Sequence, residues 1–207
     1  VPVTMTVEVV ISDEIFCSGF EEGETGACTI LPPPPFTQPI EDPSFEATTG
    51  DGGPNPFWDG FDSNDPSGGT PFYSASGFGI DVHTGDWEAW FGGWRVGDSV
   101  QSFSQSVEIA SGGPRFINYW RNCVLAPVGP AILTVYVDGT AVETTDMAAN
   151  GLDPAWVNKS IDISSYADGG THEIKFEYVV SGASDDGNVF VDDVTIDETA
   201  GSPRPAH

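Results

Sequence analysis

Two acidic brackets stand far apart in this chain: Glu46 in Pro43-Ser44-Phe45-Glu46, and Asp192 and Asp193 in Val189-Phe190-Val191-Asp192-Asp193-Val194-Thr195-Ile196. Both set acid beside strand-forming apolar residues. If their strands pair, carboxylates from opposite ends of the chain converge, and hard oxygen donors of that kind are what calcium takes. Asp59, Asp62 and Asp65, with Asn64, gather similar donors in one loop. Their spacing is not that of an EF-hand, which needs alternate ligands, a sixth-position Gly and a twelfth-position Glu. That loop therefore reads first as a solvated turn and second as a further metal site, and Asp185-Asp186 reads the same way.

Hydrolytic chemistry has less to stand on. The histidines are His83, His172 and His207. No Gly-x-Ser-x-Gly elbow occurs, and Ser74-Ala75-Ser76-Gly77 does not supply one. Among 32 acids a carboxylate pair at glycosidase spacing can arise by chance, so their number is no sign of catalysis. A lyase for polyuronates would need cations to neutralise its substrate, and there are six Lys and Arg in all. The chain reads as non-catalytic.

The 207 residues suit one ordinary domain with appendages. Hydrophobic residues make up 39% and aromatics 12%, enough for a core, while 25 Gly and 17 Pro demand many turns. The formal net charge of −26 disfavours nucleic acid, anionic membranes and polyanionic glycans, all of which need a basic face. Cys17 and Cys28 flank a Gly-rich loop; a disulfide between them would staple a segment too small for its own core, and the sequence leaves both redox states open. Cys123, in an apolar run, reads as a buried thiol. No apolar run reaches the length of a membrane span. The chain opens at Val1 without a signal-like segment, so a mature or excised portion of a longer protein is expected.

These residues must be positioned by strands. From residue 40 onward, turn signals recur at short intervals, among them Gly50-Asp51-Gly52-Gly53-Pro54, Ser111-Gly112-Gly113-Pro114, Asp138-Gly139 and Asp186-Gly187-Asn188. Between them lie β-rich runs at 100–109, 115–125, 132–137, 172–180 and 189–196, with another at 156–163. Leu133, Val135 and Val137 alternate on one strand face, Ile174, Phe176 and Tyr178 on another. Asp138-Gly139 signals a hairpin with its return strand from Val142. On the closing strand, strict alternation sets Phe190, Asp192, Val194 and Ile196 on one face and Asp193 on the other. The expected fold is all-β, a jelly-roll β-sandwich over 40–197, preceded by an N-terminal extended segment and the Pro32 to Pro35 linker. Residues 13–39 form the Cys-containing segment and linker, and 198–207 a tail.

Two resemblances follow. Val1-Pro2-Val3-Thr4-Met5-Thr6-Val7-Glu8-Val9 resembles the last strand of immunoglobulin-like repeats in secreted bacterial proteins, which implies fusion to an upstream domain ending at residue 12. Pro43-Ser44-Phe45-Glu46, Trp87-Glu88-Ala89-Trp90-Phe91-Gly92-Gly93, Ser102-Phe103-Ser104-Gln105-Ser106-Val107-Glu108-Ile109, Val135-Tyr136-Val137-Asp138-Gly139-Thr140 and Phe190-Val191-Asp192-Asp193-Val194 occur in an order that resembles jelly-roll accessory modules. Such modules look like the galactose-binding-like and carbohydrate-binding β-sandwiches appended to secreted bacterial proteases and glycosidases.

That resemblance implies a secreted, calcium-stabilised, non-catalytic module on a larger host such as a subtilisin-like protease, binding a neutral polysaccharide. It implies a structural calcium held by Glu46 and by Asp192 or Asp193. The alternative for those acids is that they accept backbone hydrogen bonds at the sheet edge. Trp58, Trp87 and Trp94 lie near Gly- and Asp-rich loops and are the candidates for stacking on a sugar, whereas Trp90, Trp120 and Trp156 lie in apolar runs and read as core. The rival functions are an adhesion domain contacting another extracellular protein and a small jelly-roll glycosidase.

Overall fold

A computed structural model of the chain describes residues 15–16, 29–30, 36–65, 67–75, 82–93, 97–150, 152–183 and 185–201. The chain divides into two compact units, residues 1–37 and 38–207. In the first, β1 (Ile15–Phe16) pairs antiparallel with β2 (Thr29–Ile30). The strand expected before residue 12, the Cys17–Cys28 pairing and the proline linker at 32–35 lie outside the described residues.

The second unit is a β-sandwich of two five-stranded antiparallel sheets. Its strands are β3 (Asp59–Asp62), β4 (Phe72–Ser74), β5 (Trp87–Gly92), β6 (Gly97–Glu108), β7 (Phe116–Leu125), β8 (Ala131–Val137), β9 (Thr140–Asp146), β10 (Asp153–Asp162), β11 (Thr171–Ala183) and β12 (Asn188–Asp197). One sheet runs β10-β7-β12-β5-β4, the other β3-β6-β11-β8-β9. A four-residue helix, α1 (Met147–Asn150), follows β9. The β8–β9 turn has Asp138 at φ 49° and Gly139 at φ 72°, the two left-handed residues that a type I′ hairpin requires.

The inner faces interlock through aromatic rings. Phe91 of the first sheet stacks on Phe103 of the second at 5.7 Å, and Tyr119 meets Phe176 edge-on at 5.1 Å. These contacts fix which parity faces inward: Ala89 and Phe91 on β5, Ile117 and Tyr119 on β7, Val189 and Val191 on β12, all fully buried. Opposed pairs in a ladder share a face. Trp90, Phe190, Asn122, Trp120, Asp192 and Asn158 therefore stand on the outer face of the first sheet.

Alternation fails at the end of β12. A β-bulge lies between Asp192 and Thr195, with Asp193 at φ 49°. The extra residue shifts the parity. Val189 and Val191 point inward before it, Val194 and Ile196 are fully buried after it, and Asp192 and Asp193 both remain buried. The single-face reading of Phe190, Asp192, Val194 and Ile196 is corrected accordingly.

Candidate functional site

The two acidic brackets do meet, and the first contact is backbone: Val194 N donates to Pro43 O at 2.9 Å. The early bracket is tightly turned, with Asp42 and Phe45 at positive φ. Asp42 Oδ2 holds that turn by accepting from Ala47 N and Asn55 Nδ2. From this junction the carboxylates reach one loop. Asp192 Oδ2 accepts from the His83 and Thr84 backbone N–H groups at 2.9 and 3.0 Å. Asp193 Oδ1 accepts from Thr84 Oγ1 at 2.6 Å, and its Oδ2 lies 2.5 Å from His83 Nδ1. Glu46 Oε1 accepts from Asp86 N and Trp87 N at 2.9 and 3.1 Å.

Both ends of the domain thus grip consecutive residues of the 83–87 loop. Burial pushes the Asp192 carboxyl well above the usual carboxylate range, and the neighbouring Asp193 charge adds to it, while N–H donors from Thr84, Asp193 and His83 oppose the shift. Among the described residues, no group of three or more His, Cys, Asp or Glu is arranged to hold a metal ion. Asp59, Asp62 and Asp65 are not brought together in the second set expected of them. On β3, Asp59 is exposed, whereas Asp62, an odd number of residues away and so on the opposite face, is buried and accepts from Gln101 Nε2 and Asn64 N. Asp65 accepts from Ser67 within its own turn. Asp185 does the same for Gly187 N, and Asp186 accepts from Ser99 Oγ.

Three tryptophans depart from the roles expected of them, Trp58 by being buried and Trp120 and Trp156 by being half-buried. Trp58 is 2% exposed, packs against Phe45 and Phe103, and donates its indole N–H to Asp42 O at 2.8 Å. It is a core residue, because the turn at Asp42 folds its loop onto the sandwich interior. Trp87 is half-buried and shares the inward parity of Ala89 and Phe91. Trp94 lies outside the described residues. Of the three read as core, Trp90 is buried, whereas Trp120 on β7 and Trp156 on β10 are half-buried on the outer face of the first sheet.

On that face two rows cross the sheet. Asn158, Trp120 and Asp192 are register partners on β10, β7 and β12; Asn122, Phe190 and Trp90 are partners on β7, β12 and β5. Trp90 donates its indole N–H to Asn188 Oδ1 at 3.0 Å. His83 comes over from its loop and stacks on Trp120, with centroids 4.0 Å apart and planes at 18°, and meets Trp156 at 5.6 Å and 65°. Asn122 is 7% exposed. Its Oδ1 and the Nδ2 of Asn158 are buried without a hydrogen-bond partner. An acceptor and a donor left unmade beside aromatic rings are the complement of a group that can both donate and accept. No sequence signal marked the asparagines, which stand in β-rich runs as ordinary strand residues.

No family model and no curated protein sequence matches the chain. Among solved structures, the Stig cyclase Fisc from Fischerella sp. TAU, in complex with (3Z)-3-(1-methyl-2-pyrrolidinylidene)-3H-indole, superposes with a TM-score of 0.51 at 12% identity, over 77% of this chain and 95% of that one. The likeness is one of fold. The carbohydrate-binding module TmCBM61 in complex with β-1,4-galactotriose has a TM-score of 0.48 at 20% identity, over 79% of this chain and all of the other. The K2 cleaved adhesin domain of Lys-gingipain gives 0.49 at 14%, over 80% and 98%.

Proposed function

We propose that residues 38–201 form a non-catalytic binding module and that its ligand face is the outer face of the β10-β7-β12-β5-β4 sheet, taking a neutral polysaccharide. The observation that carries this reading is the grouping of half-buried Trp120 and Trp156 with the unpartnered Asn122 Oδ1 and Asn158 Nδ2. Aromatic rings take the apolar face of a sugar, and a hydroxyl donates to one amide while accepting from the other. A net charge of −26 turns away polyanions, which leaves uncharged chains as the partners in this class. Attachment to a larger secreted host is the companion reading. Retardation of the protein in native gels carrying soluble neutral polysaccharides tests the binding.

Adhesion to an extracellular protein is the second reading, favoured by Val124 and Leu152, exposed at adjoining ends of β7 and β10. Gels that retard nothing, with capture of a protein partner abolished by Val124→Ser, would favour it.

Calcium at Glu46, Asp192 and Asp193 is a separate proposal. These acids supply hard oxygens to one loop, but N–H and O–H donors already engage them, so a cation would have to displace those donors. A ligand that binds only the folded state raises its stability. If calcium binds there, the melting midpoint rises on adding calcium and falls with chelator; an unchanged midpoint leaves hydrogen bonds alone to hold the loop.

A further inference from the structure

We propose that residues 83–86 act as a strap across the ligand face, with the His83 imidazole standing where a sugar ring would lie on Trp120; this rests on the ligand face assigned above. The stacking geometry is the first ground. At 4.0 Å between centroids and 18° between planes, the imidazole takes up a face of Trp120, and its edge contact with Trp156 closes the space between the two indoles. A sugar reaches Trp120 only after His83 leaves.

The strap is held in a way that lets it leave. Beyond the His83 stack, the hydrogen bonds of His83 and Thr84 run to two side chains of one strand: the two amides to Asp192, and the His83 ring and Thr84 hydroxyl to Asp193. None of these bonds belongs to the strand ladder, so the strap can lift without unpairing the sheet. Its far end is fixed, since Asp86 N and Trp87 N donate to Glu46, and Gly85 at φ 68° sits directly before that anchor. A left-handed glycine next to a fixed point is where a short segment can swing.

The closed position also carries a defect that ligand would repair. Beside Trp120, Asn122 Oδ1 and Asn158 Nδ2 are shut away from water with no partner. The His83 stack and the Asp192 and Asp193 contacts favour the closed position, and a ligand that gave those amides partners would favour the open one. Opposed terms of this kind make an element with two positions, and a ligand that needs the open one is weakened by the fraction of molecules that are open. A strap closed about nine-tenths of the time weakens apparent binding about tenfold.

Affinity electrophoresis of the intact chain against soluble β-glucan, galactan and mannan, with His83→Ala and Thr84→Val beside it, tests the strap. Both variants are expected to bind more tightly, His83→Ala by about tenfold, with Thr84→Val smaller but in the same direction and less prone to disturb folding. Equal or weaker binding by His83→Ala, with Thr84→Val equally unimproved, would overturn the strap and make His83 a wall of the site. If none of the three proteins is retarded, the ligand face itself fails, and amide hydrogen exchange decides on the strap: His83 and Thr84 amides exchanging well ahead of those in β7 support it, and exchange only with global unfolding contradicts it.

Discussion

Phe103 lies at the centre of the interior, against Phe45, Trp58, Phe72, Phe91 and Phe176 at centroid distances of 4.9 to 5.9 Å. Three of those partners come from the first turn, from β3's approach and from β4, so this one side chain ties the early bracket to both sheets. Its removal leaves a cavity that fixed backbone on two sides cannot fill. Phe103→Ala is expected to destabilise the domain by about 3–5 kcal/mol, read as a lower urea midpoint with the slope retained. A loss below about 1 kcal/mol would mean the interior collapses around the gap and that the aromatic cluster is not its keystone. The neighbouring polar residues follow another rule. Arg121 is buried on the inner face yet paired with Asp153 at 2.6 and 2.9 Å, and Tyr119, its hydroxyl pushed far up by burial and by Glu143, donates to Glu143 Oε1 at 2.7 Å. The charge of Arg121 and the hydroxyl of Tyr119 are thus taken into the sandwich with an acidic partner each.

Among the elements, the β8–β9 hairpin carries the clearest pH dependence. Asp138 in its turn accepts from Glu173 N and lies 2.7 Å from His172 Nδ1, while Asp168 Oδ1 lies 3.1 Å from His172 Nε2. The imidazole is clamped between two carboxylates, which tie the hairpin to the start of β11 and to the loop that follows the 3-10 turn at Ser164–Tyr166. The bond to Asp138 raises the His172 pKa, and bonds from His172 and from backbone N–H groups lower those of Asp138 and Asp168. A raised histidine contributes stability that is complete below its unfolded value of about 6.5 and is lost as pH rises through its folded value. The lowered aspartates contribute stability that is complete above about 3.9 and is lost as pH falls. The clamp therefore helps most between those limits. The melting-temperature gap between wild type and His172→Gln should be widest near pH 5 to 6 and should shrink by pH 9; a gap independent of pH would remove the charged clamp.

Elements were legible where one periodicity ruled. The alternation of Leu133, Val135 and Val137 and of Ile174, Phe176 and Tyr178 marks β8 and β11, and Asp138-Gly139 marks the hairpin between β8 and β9. β3 and β4 were missed, because Asp59–Asp62 and Phe72–Ser74 are too short for a period to show. The proposed ligand face is illegible in the sequence for a different reason. The sheet that carries it is apolar on both sides, with Phe91, Tyr119 and Val191 within and Trp90, Phe190 and Trp120 without. A strand aromatic on both faces does not reveal which ring meets solvent. The bulge at Asp193 compounds this, since a single extra residue reverses every inference from parity beyond it.

At the scale of the molecule, charge and architecture point the same way. Residues 38–207 carry 26 Asp and Glu against six Lys and Arg, and the domain they form is closed by its own first and last segments, through Pro43 to Val194 and through Gln38, whose Oε1 accepts from Ile196 N. Such a surface repels anions and gains nothing from phosphate contacts, while one sheet face carries the indoles and amides that the proposed binding of neutral hydroxyls would use. The role of that face is tested by the binding of neutral polysaccharides by wild type, Trp156→Ala and Trp87→Ala in the same native gels. Wild type and Trp87→Ala are expected to be retarded alike by at least one polysaccharide, with Trp156→Ala weakened about tenfold or more. Retardation undiminished in Trp156→Ala, or lost in Trp87→Ala alone, would contradict the claim.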